Sequence, residues 1–575
     1  MNLPTLRSHG ARLLPYTPLL AWFAYSCLLF SRWLAHPTKS VPGGADGILF
    51  CWHFEAVQRA LWHFDNPLHS VAMNAPEGLN IMWNTSVLGA AIVASPLTAT
   101  IGPIATVGLM MMLAPVLAAT SAYFVLRRLT GHSVIAVLSA TFYGFGPFFI
   151  GQAGHLHLTF AAPAIPLIFL IGYRIFVTQD GSARLRGIQL ATVVIVTMLI
   201  SEEVVAISAI IAALGVGIAV AINWSQVAAK RNYALTAVGW AAAISVVVLA
   251  FPLGYQFFGP NVLSSSIPSY QSMDLASPLR PSLLMRFATD SDVAVNKTFR
   301  ANDVENTGYL GLAILAVLAV ACVLMLRYRR KMGLWWIVTI LATMTLSLGA
   351  TIYVNGTRTV VHGPWSPLSK LPVLGSLVPV RFTLATAFLV SLGIAIGLST
   401  LRNVRLRVAG CVAMALALLT LIPAHRANDM LPMQDSGFFS TSASKSIPDG
   451  ANTLILPMPG DPNNVAQVMY WQLQNHNRFN IYGGYSVFAV DGELRYIPEL
   501  PLFARVLSQS ALSGYEPDTP TYISARTSLI DEKADVIVLR NTLEHFDVVV
   551  RVAEHMTGCQ SRQVADVVVC EIPGR

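Results

Sequence analysis

The chain has 575 residues, 54% of them hydrophobic and 11% charged, with a mean hydropathy of +0.58 and a formal net charge of +8. A soluble domain carries about 25% charged residues, so this composition excludes a protein that lies wholly in water. Nor does the positive balance point to nucleic acid: the basic residues form short clusters between apolar runs, the pattern that orients membrane proteins.

In chain order, about eleven apolar runs are long enough to span a bilayer. They cover 16–34, 104–126, 132–150, 158–177, 187–201, 204–222, 235–255, 307–326, 333–351, 382–400 and 407–424. The first is longer than the apolar stretch of a cleaved signal and has no clear cleavage site after it. The run 86–101 is short and contains Pro96, so it reads as an interfacial helix. With that run outside the count, Arg127-Arg128, Lys230-Arg231 and Arg327–Lys331 all fall on one face. The positive-inside rule makes that face cytoplasmic, with the N-terminus inside and the C-terminus outside.

The three long loops, 35–103, 256–306 and 352–381, then lie on the outer face, where long loops tend to carry function. Asn84, Asn296 and Asn355 each open a glycosylation sequon in these loops, a motif too short to mean much alone. Residues 1–424 read as the membrane domain and 425–575 as an extracytoplasmic domain. In that tail, 453–458 and 534–539 read as buried strands, 464–475 and 542–556 as helices, and 564–572 as a final strand. This alternation points to a small α/β domain. Cys559 and Cys570 flank the last strand, and their pairing depends on an oxidising compartment.

Acidic residues of the membrane half gather at the outer ends of spans. Asp46 precedes a stretch, Ile48 to Phe64, that reads as an interface-lying helix with Trp52, Phe54, Trp62 and Phe64 as its aromatic belt. Asp46 suits either an N-cap or a general base at the membrane surface. Glu202 and Glu203 sit in a tight turn, where adjacent carboxylates suit a solvated turn capped by Ser201 or a polar cavity. Glu305 lies where a long outer loop re-enters the membrane, as a helix cap or a functional carboxylate. His155 and His157 share a short outer turn and suit interface hydrogen bonds, a phosphate or a metal. Arg381 opens a span from the outer side, either snorkelling to lipid headgroups or gripping one phosphate. Arg286, Lys297 and Arg300 are available to assist it.

The stretch Ala45-Asp-Gly-Ile-Leu-Phe-Cys-Trp resembles the GT-C superfamily of multi-span glycosyltransferases that use lipid-phosphate-linked sugars. Asn66-Pro-Leu, Pro76-Glu-Gly-Leu-Asn, Trp83-Asn-Thr-Ser, Tyr123-Phe-Val-Leu-Arg-Arg-Leu-Thr-Gly, Gly154-His-Leu-His, Tyr309-Leu-Gly and Val378-Pro-Val-Arg-Phe extend the likeness. The resemblance implies an α-helical polytopic membrane protein with a GT-C-like bundle. It implies an inverting transfer from a polyprenyl-phosphate sugar donor to a glycan, lipid or protein acceptor of the cell envelope. The protein would then sit among the lipids of the cytoplasmic membrane, with no nucleic-acid partner. In that scheme Asp46 is the catalytic base and Arg381 neutralises the leaving phosphate, while Glu202, Glu203, Glu305, His155 and His157 contact substrate. Two departures stand out. Asp46 is followed by Gly47 where many members have a second acidic residue, and Leu377 stands where an arginine precedes the Pro-Val-Arg element. No metal ligand is assigned, although a divalent metal is compatible with the chemistry. A flippase for a lipid-linked sugar, or a non-catalytic envelope-assembly protein, would share the same outer-face features.

Overall fold

The computed structural model describes residues 17–83, 87–263, 270–371, 373–424, 430–457, 462–490 and 493–573. It forms two compact units. One comprises Met1–Ala35, Leu109–Ala250 and Ser266–Asp429, and the other His36–Gly108, Phe251–Ser265 and Met430–Arg575.

The first unit is a helical bundle. Each apolar run named above as a span contains helix, but 16–34 is divided into Thr17–Leu29, of 13 residues, and Ser31–Ala35, and 132–150 is divided into Ser133–Phe145 and Pro147–Gly151. Among the described residues, seven helices are long and apolar enough to cross a membrane by length and composition. Helices Ala183–Met198 and Val404–Leu419 are shorter, at 16 residues each. The helix Thr383–Ser399 is buried on nearly every side. Its Gly393 and Gly397 let Trp336 and the backbone of Ala321 approach closely, the small-residue packing that membrane helices use in place of a hydrophobic drive. Helix Glu202–Ile222 instead exposes most of its apolar surface, as a lipid-facing helix does.

The second unit joins the first long loop to the tail. Its sheet has five strands: β1 Asn452–Leu456, β2 Asn480–Ile481, β3 Val536–Arg540, β4 Arg562–Val564 and β5 Val567–Glu571. The spatial order is β4-β5-β3-β1-β2, with β1 parallel to both β2 and β3 and the remaining pairs antiparallel. The final strand expected over 564–572 is therefore a hairpin, broken at Ala565, whose φ is +53°. Cys559 and Cys570 form a disulfide with Cα atoms 5.7 Å apart. Helices Leu502–Ser513, Thr519–Asp531 and Phe546–Thr557 pack on the sheet through an apolar core that includes Phe503, Leu507 and Leu539.

The helix expected over Ile48–Phe64 runs from Gly44 to His63, and its aromatic residues divide between two environments. Trp52 and Phe54 are fully buried, and only Trp62 and Phe64 are exposed. The reason is the tail. Trp52 donates to Gln472 at 3.0 Å, Glu55 pairs with His476 at 3.1 Å, and Arg59 donates to the His476 carbonyl. Gln472 in turn donates to the carbonyls of Ala72 and Phe479. Strand Ser40–Pro42 pairs with Met430–Pro432. Helix Leu88–Ile101, of 14 residues, packs on Gly44–His63 and is too short to cross about 30 Å of hydrocarbon.

Two of the three sequons are described. Asn296 is buried and donates to the Pro281 carbonyl, which removes it as a glycosylation acceptor, while Asn355 lies in an exposed hairpin turn. Asn84 falls outside the described residues.

Candidate functional site

In the helical bundle, helices Leu156–Ala161, Glu202–Ile222 and Thr383–Ser399 begin close together. Helix N-termini carry partial positive charge and favour carboxylates nearby. Ser201 caps the second of these helices by accepting from Val204 N, which places Glu203 in its first turn. The turn Pro379–Phe382 precedes the third and carries Arg381. Its neighbours Val380 and Phe382 are fully buried, Phe382 against Trp365, so the turn is anchored on both sides of the arginine.

Arg381 lies between two carboxylates. Its Nη1 donates to Glu203 Oε2 at 2.6 Å, and its Nη2 and Nε donate to Glu305 Oε1 at 2.6 and 3.2 Å. The other oxygen of Glu203 accepts from Val378 N at 3.1 Å. Gln152 donates to Glu305 Oε2 at 3.0 Å and to the Val304 carbonyl. Gly151 permits this approach, because any Cβ there would meet the Val304 carbonyl and Thr307. The side chains are 14%, 14% and 5% exposed for Arg381, Glu203 and Glu305. Burial pushes the Glu305 carboxyl up, but the Arg381 charge and the hydrogen bonds from Arg381 and Gln152 outweigh it and hold it below the usual range. His157 Nε2 stands 3.9 Å from Glu203, and its ring meets that of His155 edge-on at 6.0 Å.

The structure therefore brings Glu203, Glu305, Arg381, His157 and His155 together. Glu202 heads the same helix as Glu203, but the carboxylate on Arg381 is that of Glu203. The cap reading of Glu305 is replaced, since the next helix begins only at Gly311. Arg300 lies over the Tyr270 ring at 5.2 Å. Leu377 packs in the apolar cluster with Trp365 and Phe382, so the position before the Pro-Val-Arg element is built for an apolar side chain.

Asp46 belongs to the other unit. The cap of its helix is Gly43, in the left-handed region at φ +88°, and Asp46 sits in the first turn, where the N-terminal dipole favours a carboxylate. Tyr485 from the tail donates its hydroxyl to Asp46 Oδ1 at 2.9 Å. Burial pushes the Tyr485 phenol up, and the Asp46 charge and hydrogen bond push it further, so the phenol remains a donor. Gly47 has no room for a side chain, since a Cβ there would strike the Pro42 carbonyl. A second carboxylate directly after Asp46 is therefore sterically excluded. Sequence reading missed Gln152 and Tyr485. The Gly483-Gly484 pair before Tyr485 marks a sharp turn, but nothing in the sequence ties it to a carboxylate 439 positions away. Among the described residues, no three His, Cys, Asp or Glu side chains gather as ligands for a metal ion.

The chain is similar to the cryo-EM structure of the arabinofuranosyltransferase AftD from Mycobacteria, at 16% identity and a TM-score of 0.56. That match covers 97% of this chain and 40% of AftD, so the chain spans two fifths of that protein's length. The oligosaccharyltransferase AglB from Archaeoglobus fulgidus, solved with an inhibitory peptide and a dolichol-phosphate, matches at 12% identity and a TM-score of 0.46, over 92% of this chain and 70% of its own. ArnT from Cupriavidus metallidurans matches at 12% identity and a TM-score of 0.43, over 98% of both chains. AftD is a GT-C glycosyltransferase, and its likeness gives this chain the GT-C fold. No curated protein matches the chain in sequence. One family model, described as a domain of unknown function (DUF6311), matches residues 48–422.

Proposed function

For a chain that belongs to the family described as a domain of unknown function (DUF6311) and folds as a GT-C protein, we propose a membrane glycosyltransferase. It takes its sugar from a polyprenyl-phosphate donor and passes it to an envelope acceptor at the outer face of the cytoplasmic membrane. The observation that carries this reading is Asp46. The resemblance assigns a catalytic carboxylate to that position, and there the carboxylate is partly exposed, in a first helical turn, with one oxygen held by Tyr485. An oriented carboxylate suits removal of a proton from an acceptor hydroxyl.

The donor has an apolar tail and an anionic phosphate, so it meets the protein only at the membrane interface. In this reading Arg381 neutralises the departing phosphate. Its guanidinium is already engaged by Glu203 and Glu305, so the phosphate takes the place of one carboxylate. Glu202, His155 and His157 line the same helix ends and contact the donor. Transfer inverts the anomeric centre. The 1–424 region supplies the donor groove and the 425–575 region stands outside, a placement in keeping with the Cys559–Cys570 disulfide.

The test is reconstitution of the full chain in liposomes with a set of polyprenyl-phosphate sugars and an envelope extract as acceptor. A general base contributes roughly 10²–10⁴-fold, so Asp46→Asn should lower transfer by at least about 100-fold while the protein stays folded. Equal transfer by the variant, or none by the wild type with any donor, would sink the reading.

A further inference from the structure

We infer that Tyr485 and Tyr496 form an acceptor subsite that takes the C–H face of a neutral sugar ring, so that the acceptor is a glycan. The inference rests on the reading of Asp46 given above for the direction from which the acceptor arrives.

Tyr485 is fixed on three sides. Gly483 and Gly484, both at positive φ, turn the chain just beyond the carboxyl end of β2. Gly484 lies so close to Met73 that no Cβ fits. Tyr485 N donates to Met469 Sδ at 3.4 Å, and its hydroxyl donates to Asp46. Tyr496 reaches the same place from a second segment, which the hydrogen bond from Ser486 N to the Tyr496 carbonyl, 3.2 Å, ties to the first. The two rings run nearly parallel, at 18° with centroids 6.5 Å apart. Tyr485 is largely covered, whereas Tyr496 is 48% exposed.

A buried core tyrosine needs no such exposure, and an isolated surface tyrosine needs no such alignment. A flat apolar face with a polar rim suits a sugar, which presents C–H groups on one face and hydroxyls around its edge. A ring resting on Tyr496 keeps its hydroxyls in water and carries them beside the carboxylate that Tyr485 orients. The place also fits the architecture, because ligands of open α/β sheets bind outside the carboxyl ends of the parallel strands. Tyr496 is thus a binding residue. Tyr485 is chiefly a positioning residue, acting through Asp46.

The probe is a set of neutral arabino-, manno-, galacto- and gluco-oligosaccharides, without donor, added to the full-length protein in detergent. Saturation-transfer NMR reads which sugar protons touch the protein. At least one series should bind the wild type through its ring C–H protons, and Tyr496→Ala should weaken it about tenfold or more. Tyr496→Phe, which keeps the face, should bind as the wild type does. Unchanged thermal unfolding of both variants shows that the fold is intact. Binding that survives Tyr496→Ala, or a wild type that binds none of the four series, overturns the inference. Because no donor is present, loss of transfer in Asp46→Asn leaves this result untouched, and the two readings fail separately.

Discussion

Arg381→Met tests whether the arginine, held between Glu203 and Glu305, is the counter-charge that lets Glu305 stay ionised inside the bundle. The two carboxylates are 14% and 5% exposed, and four guanidinium hydrogen bonds of 2.6–3.3 Å satisfy them. Removing one partner of a buried ion pair costs about 3–5 kcal/mol, since it leaves charge uncompensated in low dielectric. The pH dependence is a sharper signature than the size. In the wild type the folded-state pKa of Glu305 lies below its unfolded value. Its contribution is therefore present above the unfolded value, near 4.5, and is lost as pH falls through the folded value. Without Arg381 the burial effect is unopposed and the folded value rises above the unfolded one. The variant then gains stability as pH falls, by taking up a proton. The gap between the two proteins should be widest near pH 7.5 and should narrow toward pH 5. Thermal unfolding of both proteins in detergent at the two pH values measures it, with Arg551→Met as an exposed control. A gap no larger than the control's, or one equal at both pH values, would refute the argument that Arg381 stabilises the carboxylates by charge.

His53 gives a second pH prediction. Burial holds its folded pKa down at about 3, from an unfolded value of 6.5, so only the neutral ring is tolerated. Stability from this group is present above 6.5 and lost as pH falls toward 3, and His53→Leu should lower the acid-unfolding midpoint by about one pH unit. Gly47→Asp, which restores the paired acidic motif, should destabilise by about 1–3 kcal/mol through overpacking against the Pro42 carbonyl. A melting temperature equal to the wild type's would show that the turn yields.

The helical part of the fold was legible because it depends on local patterning. A run of about 20 apolar residues declares a spanning helix without reference to any other segment. The same reasoning gave the helix over Ile48–Phe64 but not the cover on Trp52 and Phe54, because that cover comes from Gln472 and His476, more than 400 positions on. The tail was legible where strands are apolar throughout, as in Leu454–Leu456 and Val536–Leu539. Thr519–Asp531 escaped notice because much of its surface is polar and only Ala525 and Leu529 are buried.

The candidate residues were legible as charges in unexpected places, and their partners were not. Arg381 drew attention as an arginine at the mouth of a span, which suggests an unfilled phosphate site. The structure answers that charge with two carboxylates from segments 178 and 76 positions away, neither implied by the local motif. This alters what the arginine offers a ligand. An anion reaching Arg381 enters a competition with Glu203 or Glu305, so its affinity measures a difference between two pairings and not the strength of one. The departure at Gly47 has a comparable origin. A missing second carboxylate looked like a weakened motif, but the backbone turn that presents Asp46 folds so tightly against Pro42 that only glycine fits. The single carboxylate and its Tyr485 partner belong to one arrangement: the turn that excludes the second acid is the turn that sets the first within reach of the tail.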